Sequence, residues 1–300
     1  MKIKPDLYLK GVFMGIAEII PGVSGGTIAF ITGIYEELIN SIKSINTNSL
    51  KLLLKFKLSS FWKEINGTFL ITLIFGMLTS ILILSRFIVY LLDDHPFKIW
   101  GFFFGLIIAS GILIFYQIQK ISITVLLSFV IGLSTASYIA LQAPSSTPNT
   151  NFFIFLSGAI AISAMILPGI SGSFILVFLS KYEFILKALN SFDTAVISIF
   201  LAGCIIGLVT FSRVFSYLFK KYSDVVISVL IGFLAGSLFK IWPFYEVLEY
   251  NSSNEPIYTS PILPTANQSN DLIFFFTFVV IGFVSMWVLE KKFIGLNKEI

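Results

Sequence analysis

Along most of this chain the apolar residues do not alternate with polar ones; they run for twenty positions or more with little interruption. A bilayer core needs about 20 helical residues at 1.5 Å rise. Six runs meet that length, near 67–90, 98–118, 122–141, 195–219, 225–243 and 272–290, and each predicts a transmembrane helix. Two further apolar stretches, 8–42 and 152–190, are broken near the middle. The first holds Pro21-Gly22-Val23-Ser24-Gly25-Gly26-Thr27 and the second Pro168-Gly169-Ile170-Ser171-Gly172-Ser173. Proline removes a helix donor, and each glycine costs about 1 kcal/mol against alanine, so the helix should stop and restart there. Each stretch is long enough for two half-helices meeting at a tip, a re-entrant hairpin that enters and leaves by one face. Broken backbone at that depth is tolerated only where protein buries it or water reaches it.

The pattern is also duplicated. At an offset of 147, Ala17, the first broken cluster and Tyr35-Glu36 fall on Ala164, the second cluster and Tyr182-Glu183. At an offset of 127, Gly76, Ser85-Arg86, Tyr90-Leu91, Gly105 and Ser110 fall on Gly203, Ser212-Arg213, Tyr217-Leu218, Gly232 and Ser237. At 150, Val130-Ile131-Gly132 falls on Val280-Ile281-Gly282. A lysine-rich connector near 43–63 and a polar loop near 242–271 account for the shifts. The expected fold is an all-α integral membrane protein made of two repeats, 1–145 and 146–300, each a broken hairpin plus three spans. Three crossings per unit is odd, so the second copy must lie inverted.

Composition agrees with a membrane protein: 56% hydrophobic and only 12% charged residues are too few charges to clothe a water-soluble globule. The net charge of +4 does not mark nucleic acid, because the basic residues sit beside apolar runs. With the N-terminus inside, fourteen lysines fall on cytoplasmic segments: Lys2, Lys4, Lys10, Lys43, Lys51, Lys55, Lys57, Lys63, Lys120, Lys220, Lys221, Lys291, Lys292 and Lys298. The opposite loops are neutral or acidic, so the inverted arrangement satisfies the positive-inside rule, with both termini cytoplasmic in the cell membrane. Eight full spans in parallel repeats would instead turn the 43–63 connector outward. That connector reads as an interfacial helix on an anionic leaflet. One cysteine, Cys204, and one histidine, His95, leave no His/Cys metal cluster, and no metal or cofactor is expected. Lys2 and Lys4 are followed by Pro5 and Asp6 with no small-residue cleavage site, so no removable signal peptide is expected.

Inverted repeats with discontinuous helices are the build of many secondary transporters. A helix N-terminus carries unpaired N–H groups and a positive partial charge, and small residues let an anion approach the backbone. Ser24, Gly25, Gly26 and Thr27 open the second half-helix of the first hairpin, and Ser171, Gly172 and Ser173 open its copy; both are candidate phosphate seats. The helix-breaking residues are Pro21, Gly22, Pro168 and Gly169. The same clusters would also make a tight turn or close helix packing. Arg86 and Arg213 lie within apolar runs at matching depths, where a guanidinium grips phosphate through two parallel bonds or snorkels to the interface. Glu18, three residues before Pro21, has Met165 as its repeat partner. It is a candidate proton carrier, with a structural helix-end carboxylate as the alternative. Glu36 and Glu183 read as hairpin anchors, and His95 as a surface residue.

Gly11 to Ile39, GVFMGIAEIIPGVSGGTIAFITGIYEELI, together with LPGISGSFILVFLSKYEFIL from Leu167 to Leu186, resembles a bacterial and archaeal membrane family long catalogued as a domain of unknown function and since identified as polyprenyl-phosphate translocases. The resemblance covers essentially the whole chain, and the PGVSGGT signature is its specific part. It implies a transporter that returns undecaprenyl phosphate from the outer to the cytoplasmic leaflet for reuse in cell-envelope synthesis. It carries over Glu18, often Asp in the family, with Pro21, Gly22, Ser24, Gly25, Gly26 and Thr27, and in the second copy Pro168, Gly169, Ser171 and Gly172, with Arg86 and Arg213 following the spans. The expected partner is therefore a polyprenyl phosphate lipid, the oligomeric state being open. Two other readings stay in view: a small inorganic anion channel or carrier, and a membrane lipid phosphatase. The phosphatase needs a nucleophile with a positioned acid or base, and His95 lies in a loop away from both Ser-Gly clusters.

Overall fold

Helix breaks organise the chain. The computed structural model describes residues 4–19, 24–142, 147–250, 256–265 and 268–293. The first broken stretch forms α1 (Pro5–Ile19), α2 (Gly25–Ile31) and α3 (Tyr35–Lys43). A connector of α4 (Thr47–Leu54) and α5 (Leu58–Glu64) leads to α6 (Gly67–Asp94), α7 (Pro96–Phe115) and α8 (Ile123–Leu141). The second broken stretch forms α9 (Asn151–Ile166), α10 (Gly172–Phe178) and α11 (Tyr182–Asn190). Then follow α12 (Thr194–Lys221), α13 (Ser223–Ser237), a β1 (Tyr245–Tyr250) and β2 (Pro256–Pro261) antiparallel hairpin, and α14 (Ser269–Phe293).

Five of these, α6, α7, α8, α12 and α14, are long and apolar enough to cross a membrane. Three departures from the sequence reading have local causes. The run 225–243 yields a helix of only 15 residues, α13. Beyond Ser237 the N–H groups of Leu238, Phe239 and Lys240 bond three residues back, to Ala235, Gly236 and Ser237, and Pro243 bars a restart. The polar loop 242–271 is partly ordered as the β1–β2 hairpin, so the described residues are not wholly helical. The connector 43–63 is two short helices rather than one, divided where Phe56 takes φ 55°.

Each broken stretch also holds three helices, not two. The second break in the first stretch is a Schellman turn: Ile34 N–H bonds to the Ala29 carbonyl and Gly33 N–H to Phe30, with Gly33 at φ 73°. At offset 147 the same turn recurs, with Lys181 N–H on Leu176 and Ser180 N–H on Val177, but here a serine takes the left-handed position at φ 52°. That conformation costs a residue with a Cβ about 1 kcal/mol against glycine. Ser180→Gly is therefore expected to stabilise the protein by about that amount, seen as a higher melting temperature in detergent.

Packing is pairwise and crosses the chain. α1 lies on α6, and α9 on α12; α7 lies on α14, α8 on α13, and α7 also touches α13. Each main crossing is lined by glycines. Gly11 and Gly76 join α1 to α6, as Gly158 and Gly203 join α9 to α12. Gly105 and Gly282 join α7 to α14, and Gly132 and Gly232 join α8 to α13. At every one of these eight a Cβ would collide with a backbone carbonyl of the facing helix, so the helices meet main chain to main chain.

Candidate functional site

The second break shows how a tip is built. α9 ends at Ile166, Pro168 offers no N–H, and Gly169 takes φ 83°, left-handed backbone that glycine adopts without strain. A Cβ on Gly169 would also press on the backbone of Phe233 and Leu234 in α13, so this tip is seated on α13. Pro21 and Gly22 of the first break lie outside the described residues, which resume at Ser24. Ser24 is extended and caps α2, its Oγ accepting from Gly26 N–H at 3.0 Å.

The two tips are bonded to each other. Ser24 Oγ donates to the Met165 carbonyl at 2.7 Å, and Gly169 N–H donates to Thr27 Oγ1 at 3.0 Å. Gly26 sits against the Ile166 carbonyl, where a Cβ would collide with it. Ser24 and Thr27 are fully buried. Stretches 141 and 142 residues apart in the chain thus meet through hydroxyls and main chain.

Glu18 completes the first tip. Its Oε1 accepts from Gly25 N–H at 2.7 Å, so the carboxylate rests on the first N–H of α2. This is the geometry of a helix-end carboxylate, and it fills the seat that the sequence offers to an anion. The second tip differs. Met165 stands in the place of Glu18, Ser171 makes no capping bond, and its Oγ lies 2.8 Å from Ser173 Oγ. Ser171 is buried and Ser173 exposed, while Gly172 packs closely on the Ala161 carbonyl.

Arg86 and Arg213 occupy the same place in their 28-residue helices, α6 and α12, and both are exposed. Among the described residues no hydrogen bond or ion pair joins either to the tips, so the structure gathers Glu18, Ser24, Gly25, Gly26, Thr27 and Gly169 and leaves the two arginines outside that group. One cation does lie beside the second tip. Lys240 Nζ is 4.5 Å from the ring centroid of Phe174, the residue after Ser173 in the first turn of α10. The rule that singled out the arginines, an ionisable side chain inside an apolar run, also fits Lys240 within 225–243. The carbonyls of Met165 and Ile166 had no such signal, because every residue has a carbonyl.

A family model described as undecaprenyl phosphate translocase-like matches residues 14–257. The chain belongs to that family. Two relatives are similar over most of their length, both named polyprenyl-phosphate transporter. One, from Vibrio cholerae, is 47% identical over 252 residues, covering 83% of this chain and 82% of the relative. The other, from Staphylococcus aureus, is 34% identical over 253 residues, covering 78% and 85%. No solved structure matches significantly. Both tips, the two arginines and Lys240 fall inside the segment matched by the undecaprenyl phosphate translocase-like family.

Proposed function

We propose that this protein is a transporter that moves a polyprenyl phosphate, undecaprenyl phosphate in the cell, from the outer to the cytoplasmic leaflet without breaking a bond. The observation that carries the reading is the direct hydrogen bonding of the two tips, Thr27 to Gly169 and Ser24 to Met165. Small residues, hydroxyls and helix starts from both halves of a family member then surround one place. The chain is read as two inverted repeats, 1–145 and 146–300, with re-entrant hairpins and both termini cytoplasmic. The matched glycine crossings and the recurrent Schellman turn support that reading, as does the length of α1 and α9. At 15 and 16 residues they span about 23 Å, short of a hydrocarbon core of about 30 Å.

In this reading the phosphate is received on the second tip by Ser171, Gly172 and Ser173 with Lys240, where no carboxylate competes. It passes to Ser24, Gly25, Gly26 and Thr27 as Glu18 withdraws from Gly25 and takes up a proton, so that transport is ion-coupled. Arg86 and Arg213, one toward each leaflet, gather the anionic head group at the surface.

Purified protein in vesicles with a labelled polyprenyl phosphate tests this. Leaflet exchange is expected, lowered about tenfold or more by Lys240→Gln, the loss of one charge-assisted hydrogen bond of about 1.5–3 kcal/mol. Inorganic phosphate or chloride flux without lipid exchange would replace the lipid with a small anion. Release of phosphate from the lipid would make the protein an enzyme.

A further inference from the structure

The two halves differ at the contact of α3 with α12, and the difference has a direction. α3 packs against the end of α12 that leads to Lys220 and Lys221. Tyr35 meets the Phe215 ring edge-on at 5.5 Å, Lys43 Nζ donates to Ser216 Oγ at 3.1 Å, and Ser216 Oγ donates to Asn40 Oδ1 at 3.1 Å. The offsets of 147 and 127 turn this contact into one between α11 and the end of α6 that leads to Asp93 and Asp94. Among the described residues no packing of comparable extent exists there. Tyr35, Ile39 and Ile42 are 2%, 2% and 9% exposed, whereas their counterparts Tyr182, Leu186 and Leu189 are 38%, 41% and 47% exposed. Ser216 is 3% exposed and its counterpart Val89 is 48%.

We infer that α3 and α11 are alternate gates and that the structure holds the cytoplasmic gate shut, with Asn40, Lys43 and Ser216 as its latch, and the outer gate open. The inference rests on the inverted-repeat reading above. Two equivalent contacts, one made and one unmade, are what a pseudo-symmetric carrier needs in order to expose one site to each side in turn.

The residues explain the bias. α11 carries the same pair of polar side chains as α3 in reversed order, Lys187 and Asn190 for Asn40 and Lys43. α6, however, has Val89 where α12 has Ser216, so the hydroxyl that joins Lys43 to Asn40 has no counterpart at that position. The shut gate is also built to reopen, because the Tyr35 hydroxyl is buried in it with no partner among the described residues.

Paired cysteines test the inference in a Cys204→Ala background, which removes the native thiol. Glu36→Cys with Phe219→Cys, which line one small cavity beside the latch and leave its three residues in place, reports the cytoplasmic gate, and their counterparts Glu183→Cys with Leu92→Cys the outer one, each joined by a short reducible bifunctional thiol reagent in membranes. The first pair is expected to link in most molecules and the second in a minority. With all four cysteines present, either link should exclude the other. Ser216→Ala should raise outer-pair linking several-fold, and locking either pair should stop lipid exchange until the link is reduced. Both links in one molecule would overturn the proposal. So would an outer pair that never links, exchange that persists with the cytoplasmic pair locked, or chain-to-chain linking through Glu183→Cys alone, which would make the open face of α11 an interface between copies. Exclusive linking is read without substrate. A wild-type protein that exchanges no polyprenyl phosphate therefore removes the proposed cargo and leaves the gate result standing.

Discussion

Gly26→Ala is expected to reduce lipid exchange by about 100-fold, the upper end of what one misplaced methyl group costs. The added Cβ has nowhere to go. It would meet the main-chain carbonyl of Ile166, which cannot rotate away as a side chain can, at the point where Ser24 and Thr27 bond the second tip. Overpacking of this kind costs about 1–3 kcal/mol, and here it acts by prising the tips apart. Gly25→Ala is the control. Its Cβ would lie 2.8 Å from Glu18 Oε1, the end of a flexible chain that can shift, so a smaller loss is expected. Exchange and thermal stability measured together separate the cases. Normal exchange by well-folded Gly26→Ala would mean that the tip contact is outside the transport path.

Glu18→Gln is expected to lower exchange more than tenfold and to flatten its dependence on pH across the neutral range. The amide oxygen still accepts from Gly25 N–H, so the tip keeps its shape, but the hydrogen bond is no longer charge-assisted and no proton can be taken up. In the proposed cycle a phosphate arriving at α2 displaces this group, and a carboxylate can leave as a neutral acid while an amide has no second state. If Glu18→Gln exchanges lipid like the wild type at every pH, Glu18 is a cap and proton coupling through it is wrong.

The long spans were legible because the bilayer demands a single property over 20 residues, and that property survives in the one-dimensional string. The breaks were legible for a similar reason, since Pro168 and Gly169 act on their own backbone. Ser180 was not, because serine carries no mark of the left-handed conformation that the fold imposes on it. The shortness of α13 was hidden too: 225–243 is apolar apart from Ser228, Ser237 and Lys240, and its end depends on three-residue turns that composition does not encode. At the site, the hydroxyls and Glu18 were visible as types, but their partners are the main-chain groups of Met165, Gly25 and Gly169. Arg86 and Arg213 stand out by rarity and by their matching depths in apolar runs, and neither feature says which way a side chain points; both are exposed.

The exchanged pairing of helices bears on how the protein is made. α7 rests on α14 and α8 on α13, so the partners of the first half's last two helices are not yet synthesised when those helices enter the bilayer. At about 5–20 residues per second, α7 must wait on the order of ten seconds or more for α14. During that time Gly105 and Gly132 offer bare main-chain surfaces to lipid or to the insertion machinery. A nascent chain arrested after Leu141 is thus an unfinished fold, not half a transporter, and α14 is the helix that completes the seat of α7.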